Sequence, residues 1–185
     1  GDDLIATYDL VRANGVLPLG AVGRCRYEKA LPEIDEMAAA VRAHQEGERL
    51  DPREVDLRLD GERVTGWIRD LWPKGQLTYR FGSAKASAEL AMWIHHLALQ
   101  CVAASGDPRE SVLIARDKKK GAAKIVRFNA IDAIDARARL AELVRWFRVG
   151  QVLPRRCGPE AARVYAEARR EGASEDEAAD AARKK

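Results

Sequence analysis

Read for periodicity, the chain opens with a short helix over Asp3 to Ala13, capped by Asp2 or Asp3 and ended by Asn14-Gly15. GVLPLGAVG follows. It is apolar but broken by glycines and a proline, and is expected to lie as an irregular segment packed on the core. Residues from about Tyr27 to Gln45 read as a helix, with Leu31, Ile34, Met37 or Ala38, and Val41 on one face. Pro32 must sit in its first turn or kink it. Strands come next. VDLRL alternates, Asp60-Gly61 is a hairpin turn, and ERVTGWIRDLW returns. Pro73-Lys74-Gly75 turns again, and QLTYRF alternates with Leu77, Tyr79 and Phe81 on one side. Together they predict a three-strand antiparallel meander.

The clearest helix runs from about Ser87 to Ala104. Leu90, Trp93, Ile94, Leu97, Ala98 and Cys101 make an apolar stripe, and Ser105-Gly106 stops it. SVLIAR and KIVRF are further strands around a turn from Asp117 to Gly121. A long helix from about Ile131 to Val149 is capped by Asn129, has Asp132 in its first turn and ends at Gly150. Gly158-Pro159 opens another helix closed by Gly172, and Ser174 to Glu177 is a capping box for an Ala-rich last one. The strand after the middle helix must cross over to pair, so the fold class is α/β with a mixed sheet flanked by helices. This element order is shared with nucleases of the restriction-endonuclease-like superfamily, and with many other folds. We expect a core domain over residues 1–157 and a helical extension of it over 158–185.

Composition narrows the classes. Of 185 residues 46% are hydrophobic, enough for a core. No apolar run approaches a membrane span, so no membrane role is expected. GDDLIATYDL lacks the basic and apolar regions of a signal peptide and reads as a cut inside a longer polypeptide, as does the abrupt end at Lys184-Lys185. Cys25, Cys101 and Cys157 are far apart, which predicts a reducing cytoplasm with no disulfide and no zinc site. The net charge of +3, from 32 basic and 29 acidic residues, is too mild to indicate nucleic-acid binding by itself. Lys118, Lys119 and Lys120 read as a solvated turn.

Nuclease chemistry needs acidic groups converging on Mg²⁺ and usually a lysine beside the attacking water. In that superfamily (PD-(D/E)XK-type) they stand near the end of the second strand and on the third. Here the second strand offers Arg69 where the acid is wanted, and Asp70 points to the opposite face. Leu77 to Phe81 contains no acid. A literal D-x-K occurs at Asp117-Lys118-Lys119, but in a turn. His95 and His96 are adjacent on a helix and diverge by about 100°, so they cannot chelate one metal; each reads as a surface or core-edge imidazole, and His44 is isolated. Gly20 to Gly23 has no Lys-Ser/Thr pair and is no phosphate loop. Trp93 and Trp146 fit helix faces and read as core, whereas Trp67 and Trp72 flank the arginine-bearing strand and could stack on bases or a partner.

GVLPLGAVG, VDLRLDGERVTGWIRDLW, GQLTYRFGSAKASAELAMWIHHLAL and ARARLAELVRWFRVGQVLP resemble, in order and spacing from Gly15 to Pro154, the C-terminal domain of the gamma subunit of exodeoxyribonuclease V, the RecC family. The resemblance implies a restriction-endonuclease-like fold with a degenerate active site. It implies a non-catalytic scaffold in a RecBCD-type helicase–nuclease, an ATP-dependent exodeoxyribonuclease acting in double-strand-break repair and recombination. The partners would be the beta and alpha subunits and DNA, with no cofactor of its own. Arg69, Lys74, Arg80 and Lys85 are the candidate DNA-facing groups, acting on phosphate; each also reads as an ordinary surface cation. Two rivals stand beside this reading. One is an active Mg²⁺ nuclease using Asp70, Glu54 or Asp56. The other is a pure protein-interaction module docking through GVLPLGAVG or the terminal helices.

Overall fold

The computed structural model describes residues 2–117, 123–153 and 158–184, with side chains from Thr7 onward. Strands β1 (Arg53–Leu59) and β2 (Glu62–Ile68) form the expected hairpin. Asp60 and Gly61 take φ of 47° and 85°, the paired left-handed conformation that a two-residue hairpin turn needs. Val55, Leu57 and Leu59 are buried on one face, as the alternation predicts.

The return strand does not run on as one piece. Asp70 adopts φ of 57°, and beyond it β3 (Leu71–Trp72) belongs to a second sheet of order β3-β4-β5-β6. β4 is Gly75–Ser83, β5 Ser111–Arg116 and β6 Ala123–Phe128. The three-strand meander is therefore split at one residue. Asp is among the residues that tolerate this conformation, so the break costs little and leaves no periodicity signal. An isolated bridge between Leu50 and Leu71 keeps the hairpin register across the break, so β3 joins the two sheets.

β4 and β5 are parallel, and β5 and β6 antiparallel. The mixed sheet follows from the crossover through α3 (Ala86–Val102). Helix α2 (Gly20–His44) covers one face, where Met37 packs with Leu77, Val112 and Ile114. On the other side α3 and α4 (Ala133–Val152) enclose Leu97, Leu99, Ala136 and Leu140 with the hairpin's inner face. α1 (Asp2–Ala13), α5 (Pro159–Arg170) and α6 (Glu175–Arg183) complete the chain.

Other expectations are corrected. GVLPLGAVG does not pack on the core: Val16, Leu19 and Val22 are exposed, and its last residues, from Gly20, are already helical. Gly23 serves a local approach, since a Cβ there would collide with the Pro18 carbonyl. Pro32 thus lies inside α2 rather than in its first turn. The buried side of α3 is Met92, His96, Leu97, Ala98, Leu99 and Gln100, while Leu90 and Ile94 are exposed. Asp132, not Asn129, caps α4, its side chain accepting from the Ile134 N–H at 2.7 Å. Gly150 does not end that helix, which continues to Val152. Trp146 is 50% exposed rather than core. The capping box at Ser174 and Glu177 is present. The lysines of the turn from Asp117 to Gly121, and Cys157, lie outside the described residues.

Candidate functional site

The candidate cations are strung along β4. Lys74 stands in the turn before it, where its ammonium reaches Glu46 at 2.5 Å and the Ala43 carbonyl at 3.1 Å. Arg69 lies just before the kink, and its carbonyl accepts from the Gln76 side-chain amide at 3.3 Å. Arg80 is exposed near the far end of the strand. At about 3.3 Å per residue it is roughly 20 Å from Lys74, so the four do not converge on one phosphate. Lys85 is the residue before α3, whose first amide (Ala86 N–H) is already taken by Glu160 at 2.6 Å. Arg163 ties that corner together, with Glu160 at 2.8 Å and the Ala84 carbonyl at 3.3 Å. Arg69, Arg80 and Lys85 have no ion pair among the described residues; Lys74 does.

The carboxylates are mostly committed to arginine. Asp70 meets Arg49 at 2.5 Å. Asp56 takes a two-pronged pair from Arg63 across the hairpin, 2.8 Å at each oxygen. The hydrogen bond from Arg63 holds the Asp56 carboxyl below the usual carboxylate range. Glu54 lies on the exposed face of β1 with Asp56, in the other sheet from β3 and β4. β4 presents Thr78, Tyr79, Arg80 and Phe81, none of them acidic. Among the described residues no group of three His, Cys, Asp or Glu side chains could hold a metal ion.

The remaining singled-out groups are structural. His96 is fully buried, with Nδ1 at 2.9 Å from the Ser111 hydroxyl and Nε2 at 3.1 Å from the Asn129 carbonyl. Trp93 and Phe128 flank its ring. Burial pushes its pKa down, while the bond to Asn129 opposes. His95 is exposed, so the pair divides between core and surface. Cys25 and Cys101 are free thiols, and burial raises the pKa of Cys101. Trp67 is exposed, whereas Trp72 packs against the α2–β5 core.

The family described as the RecC C-terminal domain matches residues 2–170. The chain belongs to the RecC C-terminal domain family. The RecBCD enzyme subunit RecC of Escherichia coli (strain K12) is 31% identical over 160 residues. The match covers 86% of this chain but only 13% of that protein, so the chain corresponds to a small part of the RecC relative.

Sequence reasoning missed the neighbourhood of β4 that the fold leaves open. Beside Asp70, a cleft of about 370 Å³ is lined by Gln45, Trp72, Leu77, Thr78 and Tyr79. Between α2 and β4, a groove of about 450 Å³ is lined by Ile34, Met37, Val41, Tyr79 and Phe81. The signal was the alternation that sets Leu77, Tyr79 and Phe81 on one side of β4. For this RecC-family chain, among the described residues no helix is long and apolar enough to cross a membrane.

Proposed function

We propose that this chain is a non-catalytic, nuclease-like scaffold domain of a RecC subunit. It would position separated DNA strands and hold the beta and alpha subunits of a cytoplasmic RecBCD-type helicase–nuclease during double-strand-break repair and recombination. The observation that carries this reading is family membership joined to the arginine pairing of Asp70 and Asp56. A restriction-endonuclease-like ancestry is supported by the hairpin, crossover helix and parallel β4–β5 pair. We keep residues 158–185 as an extension of the core, since Glu160 and Arg163 of α5 bind the start of α3.

In this reading Arg69 and Lys85 are the cations free to meet phosphate. Lys74 would first have to leave Glu46. Arg80 lies along the open part of β4. The test is incubation of the chain with linear duplex DNA and Mg²⁺ or Mn²⁺, beside forked-duplex binding at low and high salt. The expected result is no degradation, with salt-sensitive binding weakened by Arg69→Ala and Lys85→Ala. Degradation abolished by Asp70→Ala would establish the nuclease alternative. Absence of binding at low salt would leave partner scaffolding alone.

A further inference from the structure

Among the described residues, the outer edge of β4 is unpaired beyond its first residues. β3 pairs with it only at Gly75 and Gln76. Backbone alternation fixes what points outward. The Gln76 N–H donates toward β5, to the Glu110 carbonyl at 2.9 Å, and the Leu77 N–H donates the other way, to the Asp70 carbonyl at 2.9 Å. Tyr79 shares the parity of Leu77, so its N–H and C=O face outward, past the place where β3 ends. The chain that would have covered them turned away at Asp70.

The two faces along this edge differ in chemistry. Tyr79 and Phe81 stand on the α2 side, 59% and 52% exposed, with Ile34, Met37 and Val41 behind them. Phe81 is braced by the Arg116 guanidinium, 5.5 Å from its ring centre, which Glu33 holds at 2.6 Å. Part of Arg80 lines the groove between α2 and β4, but by the period of two its side chain points to the face away from Tyr79 and Phe81. Its neighbour there is Gly82, where a Cβ would stand 3.5 Å from Arg80 Nε. Arg80 has no ion pair among the described residues.

We propose that Thr78–Phe81 is a docking edge for an extended segment of a partner protein that alternates apolar and acidic residues. The segment adds as a further strand. Its apolar side chains lie beside Tyr79 and Phe81, and its carboxylates lie beside Arg80. A nucleic-acid strand fits worse, because outward carbonyls alternate with the outward N–H groups and would repel phosphate. This inference deepens the scaffold reading and rests on it, since it names the surface that holds a partner.

The test titrates the 185-residue chain with a capped, fluorescent octapeptide alternating valine and glutamate, followed by anisotropy. Saturable binding is expected. Arg80→Glu, with unchanged Tm, should weaken it at least tenfold and should instead favour a second octapeptide in which lysine replaces each glutamate. Two further peptides carry N-methyl groups on every valine amide or on every glutamate amide. One set of amides faces β4 and the other faces away, so only one of the two should bind. Equal binding of both, or no response to the Arg80 charge swap, overturns the proposal. So does a dimer of the chain dissolved by Arg80→Glu, which would make the occupant a second copy. So does forked DNA binding lost in Arg80→Glu without peptide binding. None of these results alters the nuclease assay, so failure here is separable from failure of the scaffold reading.

Discussion

Gly75, Gln76 and Leu77 are buried, and the strand they begin is bonded there on both edges. Thr78, Tyr79, Arg80 and Phe81 continue the same strand, yet all are exposed; among the described residues Thr78 to Arg80 pair only with β5, and the register shifts beyond Arg80. Sequence character does not separate the halves, since Leu77, Tyr79 and Phe81 are one apolar face. What separates them is the neighbour. β3 lasts two residues because Asp70 turns the incoming chain toward the hairpin sheet. The same strand thus provides a core anchor at one end and an available edge at the other.

Same-face truncations should expose this difference most strongly. Leu77→Ala removes a side chain from the α2–β5 core and should cost about 2–5 kcal/mol in urea unfolding. Tyr79→Ser should cost less than about 1 kcal/mol. Equal losses would mean that the outer half is not open. Gly75 sharpens the contrast, having φ of 141° and a Glu110 carbonyl 2.6 Å from where a Cβ would stand. Gly75→Ala should therefore cost roughly 1–3 kcal/mol by the same measurement.

The dividing residue can be tested directly. Asp70→Val forces a β-branched side chain into the left-handed region and should cost roughly 1–2 kcal/mol. Asp70→Asn keeps that conformation and loses only an exposed ion pair with Arg49, so its cost should stay below about 1 kcal/mol. If Val were as good as Asn, the kink would not depend on residue 70.

The smallest effect concerns His96, which binds Ser111, the β5 residue opposite Gln76. Its folded pKa is lowered by burial. The unfolded chain takes up the proton near pH ~6.5, and the folded chain only at lower pH. Between those values the unfolded state binds more protons, so stability is full above about pH 6.5 and falls as pH drops below it. Melting curves should show this slope, and His96→Gln should flatten it below about pH 6.5.

Local chemistry was legible in the sequence wherever the cause was local. The Asp60-Gly61 turn and the Ser174–Glu177 capping box each depend on residues within a few positions, and both stand as read. The rest depended on partners distant in the chain. His96 is buried with partners in Ser111 and Asn129, and Gln100 is buried with its side-chain N–H donating to the Arg109 carbonyl, which a stripe of apolar residues cannot show. Leu90 and Ile94 belonged to that stripe and are exposed. Asp132 outcompeted Asn129 as the α4 cap, and Asn129 instead gives its carbonyl to His96. The acid-free character of β4 was plain in the sequence. The pairing of Asp70 with Arg49, separated by twenty-one positions, was not.

The two-residue β3 also has a mechanical meaning. The hairpin and the main sheet are two plates, and Leu71–Trp72 is the seam between them. α4 is tied to the hairpin tip by Arg145–Asp60 and Arg148–Glu62 and is packed on α3 through Ala136 and Leu140, so a pull on α4 bears on both the hairpin plate and α3. That load reaches β4 through the seam and β5 through α3, whose buried side chains pack on the hairpin and whose His96 grips Ser111. A force at one end of the domain is thereby delivered to the strand that carries the open edge.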